Sequence, residues 1–292
     1  MEINELKTFV SVATHASFSM AAKQLYLTQP AVSKRVTALE EDLNTKLFDR
    51  LGRKVLLTQA GEVLLAKARV ILKEIDESRQ MIANLSGQVR GRLSLGTSHH
   101  IGLHRLPTIL RAYTNRYPEV ELDLHFLDSE SGCEAIERGQ LDLVIVTLPP
   151  KPAPTVTVRK LWDDPLDIVV APSHPLAQKD IITLEDLAAQ PAILPAKGTF
   201  TRDIIVGPFA ECQLDLNVNL ETNYLETNKM MVTIGLGWSA LPRTMVDKDL
   251  CCLTIRPLNL SRVLGVMCNQ SRTLSNAARA LLELIQSADI VD

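Results

Sequence analysis

The stretch LTQPAVSKRVTALEEDL, residues 27–43, decides how the first part of the chain is read. Val32, Val36, Leu39 and Leu43 recur at i, i+4, i+7 and i+11, which puts them on one stripe of an α-helix. Thr28 is a good N-cap, because its hydroxyl can accept from a first-turn N–H. Pro30 falls in that first turn, where the N–H it lacks would have no intrahelical partner. The spacing therefore predicts a helix that starts near Thr28 and buries the valine and leucine stripe. Gln29, Ser33, Lys34 and Thr37 project away from it, and Arg35 completes the Ser33-Lys34-Arg35 trio near the helix start. Such a start suits DNA: phosphates favour the N-terminal N–H groups, while Gln and Lys can read base edges. A solvated face on an ordinary amphipathic helix would show the same pattern, so the neighbouring residues have to decide.

Upstream, Leu6, Phe9, Val10 and Ala13 predict a short amphipathic helix. Residues 15–18 break it, and Ser19 is placed to cap a second helix over 20–25. Ala21 and Ala22 are small enough to let another helix cross closely. This is the layout of a helix-turn-helix, whose later helix enters the major groove. Downstream, LFDRLGRKVLLT at 47–58 reads as two short strands around a Gly turn that carries Arg50, Arg53 and Lys54. A basic hairpin in that place looks like a wing suited to phosphate or minor-groove contact.

The ordered set Phe9, Ser17-Phe18, Ala21-Ala22, Leu25, Gln29-Pro30-Ala31-Val32-Ser33, Leu39-Glu40, Leu47-Phe48, Arg50 and Leu57-Thr58-Gln59-Ala60-Gly61 resembles the signature of LysR-type transcriptional regulators. Asn44 stands where that family usually has Gly at the end of the recognition helix, and Asn is the next most tolerant of the left-handed conformation needed there. The resemblance implies an N-terminal winged helix-turn-helix, a long linker helix that dimerises, and a two-lobed, periplasmic-binding-protein-like α/β effector domain. The helix start and the basic hairpin give Thr28, Gln29, Pro30, Ser33, Lys34, Arg35, Thr37, Arg50, Arg53 and Lys54 as the candidate DNA contacts. The resemblance also implies double-stranded DNA with an interrupted inverted repeat, a homo-oligomer that is usually tetrameric, and frequent control of the protein's own promoter. RNA polymerase is a further candidate partner.

Composition agrees with a regulator of more than one domain. The 292 residues, 46% hydrophobic, exceed a lone DNA-binding module and can bury a sizeable core. Residues 1–58 hold eight Lys and Arg against six acids, whereas the whole chain carries a formal −3. That balance argues for a local DNA footprint over general coating of nucleic acid. No hydrophobic run approaches membrane-spanning length, and the sequence begins with a charged amphipathic segment instead of a signal peptide, so a cytoplasmic protein without membrane contact is expected. The five cysteines, Cys133, Cys212, Cys251, Cys252 and Cys268, are scattered and lack metal-ligand spacing. In a reducing compartment, buried free thiols are the expectation.

From 59 to 87 the period changes. Leu64, Ala68, Ile71, Ile75, Ser78, Ile82 and Leu85 alternate steps of four and three, a heptad-like seam along one long helix that Thr58 can cap and Gly87 can end. A winged domain is too small to cover such a seam, so the same helix of a second subunit is the expected partner, which would put two reading heads on one duplex.

Residues 88–91 read as a hinge into an effector domain, 88–292. RLSLGT at 92–97, a helix over 103–117, VELDLHFLD at 120–128, a helix over 131–138 and LDLVIVT at 141–147 imply a parallel α/β sheet. A second set follows: AILPA at 192–196, a helix over 201–212, NVNLETN at 217–223, a helix over 225–236 and SALP at 239–242. DIVVAP at 167–172 and VLGVMC at 263–268 are strand-like and could join the sets, giving lobe I at about 91–161 and 266–292 and lobe II at about 162–265. The transport reading of such a fold needs an export signal, and none is seen.

In open α/β sheets ligands sit beyond the carboxyl ends of strands, against helix N-termini. Thr97, Ser98 and His99 follow the first strand, Ser129 follows the second, Thr147 ends the third, and Thr199 and Phe200 open a helix in the second lobe. Hydroxyls at helix starts are commonly only caps. The resemblance adds their convergence, since Thr97, Ser98, Ser129, Thr199 and Phe200 match positions that line the inducer cleft in relatives. A small-molecule effector, a carboxylate or another anion, fits such donors. His100 and His104 are i, i+4 on a helix, but no HExxH arrangement and no nearby Cys or carboxylate accompanies them, so structural or ligand-contacting histidines are expected before a metal. No nucleophile elbow, Walker loop or dinucleotide fingerprint is present, and neither catalysis nor a cofactor is expected. The peroxide-sensing branch of the family keeps a reactive Cys two residues before an Arg. Here Phe200 precedes Arg202, which leaves thiol-responsive regulation through Cys212 as the alternative. A vicinal Cys251-Cys252 disulfide would need geometry that adjacent residues seldom achieve.

Overall fold

The computed structural model describes residues 1–51, 54–85, 87–255 and 258–287, and the chain divides into two compact units, 1–87 and 88–292. In the first unit, α1 (Ile3–His15), α2 (Phe18–Gln24) and α3 (Gln29–Asp42) bury Leu6, Phe9, Val12, Phe18, Ala21, Ala22, Val32, Val36 and Leu39 against one another. The cap of α2 is Ser17, whose hydroxyl accepts from the Met20 N–H at 3.2 Å. The helix thus starts two residues before the expected Met20, and Ser19 lies inside it, because Phe18 has to enter the core. Leu43 ends α3 as its C-cap and is exposed, and Glu40 takes the buried place on that stripe. Asn44 adopts φ 48°, the left-handed turn that lets the chain leave the helix.

Glu40 ties α3 to the hairpin formed by β1 (Phe48–Leu51) and β2 (Lys54–Leu57). Its carboxylate accepts from the Leu47 and Phe48 N–H groups at 2.9 and 3.3 Å and from Lys46 Nζ at 2.7 Å. Burial alone would raise the Glu40 pKa, but these donors outweigh it and hold the group below the usual glutamate value. The long helix α4 (Gln59–Leu85) begins where Thr58 accepts from the Gly61 N–H at 3.0 Å. The seam of α4 divides. Ala68 is fully buried in the core of α1–α3, with Leu64, Leu65, Ile71 and Leu72 packed beside it, so the first half of the seam is covered by its own chain. Val63, Val70, Met81 and Ile82 remain exposed. The expectation that the whole seam awaits a partner helix is corrected accordingly.

The second unit is built on a seven-stranded sheet. Its strands are β3 (Gly91–Thr97), β4 (Val120–Phe126), β5 (Leu143–Thr147), β6 (Val156–Val170), β9 (Ser239–Pro242), β10 (Cys251–Leu253) and β11 (Leu260–Asn269). The order is β10-β6-β11-β5-β3-β4, with β9 on β6. The sheet is mixed and not wholly parallel: β3 runs parallel to β4 and β5, while β11 runs antiparallel to β5 and β6. The long β6 and β11 are shared by both lobes. A small parallel sheet of β7 (Ala192–Leu194) and β8 (Val218–Glu221) completes lobe II.

Helices α5 (His99–His104), α6 (Pro107–Arg116), α7 (Ser129–Glu137) and α11 (Asn276–Ser287) belong to lobe I. Helices α8 (Leu184–Ala188), α9 (Phe200–Glu211) and α10 (Leu225–Thr233) belong to lobe II. The single helix expected over 103–117 is two, because Pro107 cannot continue α5 and instead opens α6. Each lobe has its own core. Leu93, Leu95, Ile101, Ile145, Val266 and Leu281 fill the first, where the Tyr113 hydroxyl donates to the Ala277 carbonyl at 2.8 Å. Ile168, Leu194, Ile205, Phe209 and Trp238 fill the second, where the Trp238 indole donates to the Leu187 carbonyl at 2.9 Å. Among the described residues no helix is long and apolar enough to cross a membrane.

Candidate nucleic-acid interface and interlobe cleft

On α3, Thr28 caps the helix by accepting from the Ala31 N–H at 3.4 Å, and Pro30 sits in the first turn. Thr28, Gln29, Pro30 and Lys34 are exposed, and Ser33, Arg35 and Thr37 are half-buried on the flanks of the same face. The start of a helix with its N–H groups, an amide and an ammonium is thereby presented to solvent. Arg53 lies outside the described residues, as do the side chains of Arg50 and Lys54. One neighbour escaped the sequence reading: Tyr26, in the turn before α3, is 95% exposed and adopts φ 54°. Only this left-handed turn, uncommon for a large side chain, would have marked it.

In the second unit, the lobes enclose a cleft of about 360 Å³. Ser98, His99, Ser129, Thr147 and Thr199 all line it. Thr97 does not: it is fully buried, and its hydroxyl donates to the Ile145 carbonyl at 2.9 Å, bracing the floor. Phe200 sits behind the wall, packed against the cluster around Cys133, Ile136 and Met267. Its N–H donates to Glu130 Oε1 at 2.6 Å across the lobes, and the Asn223 amide reaches Asp128 Oδ2 at 3.0 Å beside it. The His99 ring meets Phe126 and Tyr224 edge-on, at 5.8 and 5.2 Å between centroids.

Four helices, α5, α7, α9 and α10, begin at this cleft, so their positive ends face it together. Gly102 keeps α5 close to the end of β4, because a Cβ there would strike the Phe126 ring. Arg262, on the shared strand β11, was not anticipated. It is 6% exposed, donates from Nε to Asp164 Oδ2 at 2.6 Å and from Nη1 to the Thr201 hydroxyl at 3.3 Å, and keeps its buried Nη2 without a partner among the described residues. A lone Arg in a strand-like run gave no local signal, since its meaning comes from where the crossing strand passes.

His100 and His104 approach Glu226 of the opposite lobe, His104 Nε2 at 3.0 Å and His100 Nδ1 at 3.7 Å from Oε1. Burial, and then the charges of Arg262 and His104, hold the His100 pKa far below its usual value, at about 3. The expected burial of all five thiols holds only for Cys133. Cys212 and Cys252 are exposed, Cys251 and Cys268 are half-buried, and all five are free. Burial, with Glu130 and Glu137 nearby, pushes the Cys133 thiol up to about 12, and burial also raises Cys252 and Cys268.

These features recur in known proteins. Residues 3–62 match the family described as bacterial regulatory helix-turn-helix protein, lysR family, and residues 86–289 match the LysR substrate binding domain. A probable RuBisCO transcriptional regulator of Cyanophora paradoxa is 31% identical over 294 residues, 97% of this chain and 90% of that protein. A full-length OxyR variant from Pseudomonas aeruginosa is 25% identical with a TM-score of 0.72, covering 100% of this chain and 96% of that one. The fold is also that of CbnR complexed with its target DNA, at 23% identity and a TM-score of 0.70, over 99% of this chain and 100% of that one. With a helix-turn-helix in one unit, a two-lobed cleft in the other and both family matches in register with them, the chain belongs to the LysR family of DNA-binding transcriptional regulators.

Proposed function

We propose that the protein is a cytoplasmic, non-enzymatic homo-oligomer that binds an interrupted inverted repeat and responds to a small anion, a carboxylate by preference, held in the interlobe cleft. The observation that carries the effector reading is Arg262 Nη2, a buried guanidinium donor without a partner among the described residues, at a cleft faced by four helix N-termini. Asp128 and Glu130 also line the cleft, but both are engaged in bonds between the lobes, which leaves the donors to act on a ligand. Ser98 and Ser129 would add hydroxyls to it, with His99 and Thr199 shaping the walls.

In this reading α3 contacts a half-site through Gln29, Ser33, Lys34, Arg35 and Thr37, and the hairpin bearing Arg50, Arg53 and Lys54 holds the phosphates. Helix α4 pairs with its copy through the exposed Val63 and Val70 side and the exposed Met81 and Ile82, giving a dimer that assembles further into a tetramer. The ligand acts by binding one quaternary state better than another, which shifts the DNA-bound geometry and the access of RNA polymerase. Full-length protein titrated with a panel of small carboxylates tests the cleft through its thermal unfolding, since a ligand of the native state raises the midpoint. A dose-dependent rise that disappears in Ser98→Ala and Arg262→Met variants is expected. A rise that both variants keep would place the ligand elsewhere.

A further inference from the structure

The geometry points to a divalent transition-metal site, formed by His100 and His104 of lobe I with Glu226 of lobe II, that ties the two lobes together. The two imidazoles are one turn apart on α5, with ring centroids 4.8 Å apart, and Glu226 is in the first turn of α10. One ligand atom from each of the three residues lies within 4.8 Å of the others. Zinc bonds to nitrogen and oxygen of about 2.0–2.2 Å separate tetrahedral ligand atoms by roughly 3.3–3.6 Å. The observed 3.0 and 3.7 Å from Glu226 Oε1 to the two histidines bracket that spacing.

A simple ion pair between His104 and Glu226 explains only part of this cluster. His100 is 4% exposed, and neither of its ring nitrogens has a hydrogen-bond partner among the described residues. Glu226 Oε2 is likewise buried and unpartnered. Buried polar atoms are nearly always paired, and an ion held by His100 Nδ1 and by both Glu226 carboxylate oxygens would pair two of these three orphans. The nearby cations do not forbid it: Asp164 lies 2.6 Å from Arg262 and 3.8 Å from Arg105 and offsets one of these two charges, and the Glu226 carboxylate is a second anion beside the histidines. Three protein ligands leave a fourth position open to water or to an anion from the cleft that His100 also lines. The site does not depend on which effector the cleft takes.

The test uses full-length protein stripped of metal by a chelator and titrated with Zn²⁺ alone in a calorimeter. One Zn²⁺ per protomer is expected, with slower amide exchange in 225–233 on loading. Mg²⁺ should not bind, because that hard cation avoids imidazole. His104→Gln and Glu226→Gln, both at least partly exposed and so expected to fold, should each weaken Zn²⁺ by at least about tenfold. Co²⁺ in its place should give ligand-field bands without a thiolate charge-transfer band. Absence of Zn²⁺ uptake, uptake unchanged in both variants, or a thiolate band would overturn the site.

Discussion

The reading helix and the interlobe cleft solve opposite problems. Every group that α3 is proposed to offer to DNA comes from residues 28–37, and most of that face is exposed. The cleft gathers residues from 98–100, 126–131, 223–225 and 262 with Thr147, Pro195, Thr199 and Thr201, and its key cation is buried. A polyanionic duplex is met by solvated charges on one rigid element, where each contact is modest and adds to the next. A small ligand needs polar atoms already stripped of water, and these are costly unless something pairs with them. Removing one group should therefore cost binding in the first region and stability in the second.

The largest expected effect follows from that contrast. Asp164→Ala would leave the Arg262 charge buried without its partner, at a cost of about 3–5 kcal/mol. Both tryptophans, Trp162 and Trp238, lie in the second unit, so urea unfolding followed by tryptophan fluorescence reads this loss directly. A loss below 1 kcal/mol would show that the pair is not buried in solution, and the contrast between the regions would fail.

Next comes Glu40, a buried acid on the same helix as the solvated face of α3. Glu40→Ala orphans the Leu47 and Phe48 N–H groups and should cost the first unit about 1–3 kcal/mol, with faster amide exchange at both positions. Because the folded pKa of Glu40 is lowered, its contribution is present above the unfolded glutamate pKa, near 4.3, and is lost as pH falls through the lower folded value. The wild-type unit should therefore weaken below about pH 4 through this group. Glu40→Gln should remove that part of the pH dependence. An unchanged acid profile in the variant would deny Glu40 this role.

Lys34→Ala should leave the unfolding midpoint unchanged while weakening site-specific DNA binding by about 1–3 kcal/mol, readable by fluorescence anisotropy at fixed salt. An unaltered footprint would remove Lys34 from the interface. At the small end stands Lys160→Ala, which breaks an exposed ion pair with Asp163 on the shared strand β6. It should change stability by less than about 0.5 kcal/mol and DNA binding not at all.

The same contrast explains what could be read from the residues alone. The stripe Val32, Val36, Leu39 with Thr28 and Pro30 at the start is a local pattern, and periodicity with capping chemistry suffices to place it. Ser17 displaced Ser19 as a cap because burial of Phe18 overrode the nearer hydroxyl, a tertiary effect. The seam of α4 was visible, but its division between own-chain packing at Ala68 and exposure at Ile82 was not, since heptads do not state who covers them. In the cleft, Ser98, Ser129 and Thr199 were reachable as helix starts after strands. Arg262 and the approach of Glu226 to His100 and His104 were not, because they depend on where β11 and α10 pass in space. Sequence spacing had separated the histidines from any carboxylate, and the fold brings one to them.

The most direct measurement is selection of bound sequences from random duplex DNA by the full-length protein, repeated with Gln29→Ala and Lys34→Ala. Recognition by a paired α3 requires enrichment of an interrupted inverted repeat by the wild type, with its half-site signal weakened or altered in both variants. Enrichment of no motif, or of the same motif at the same strength by all three proteins, would contradict the assignment of α3 as the element that reads DNA.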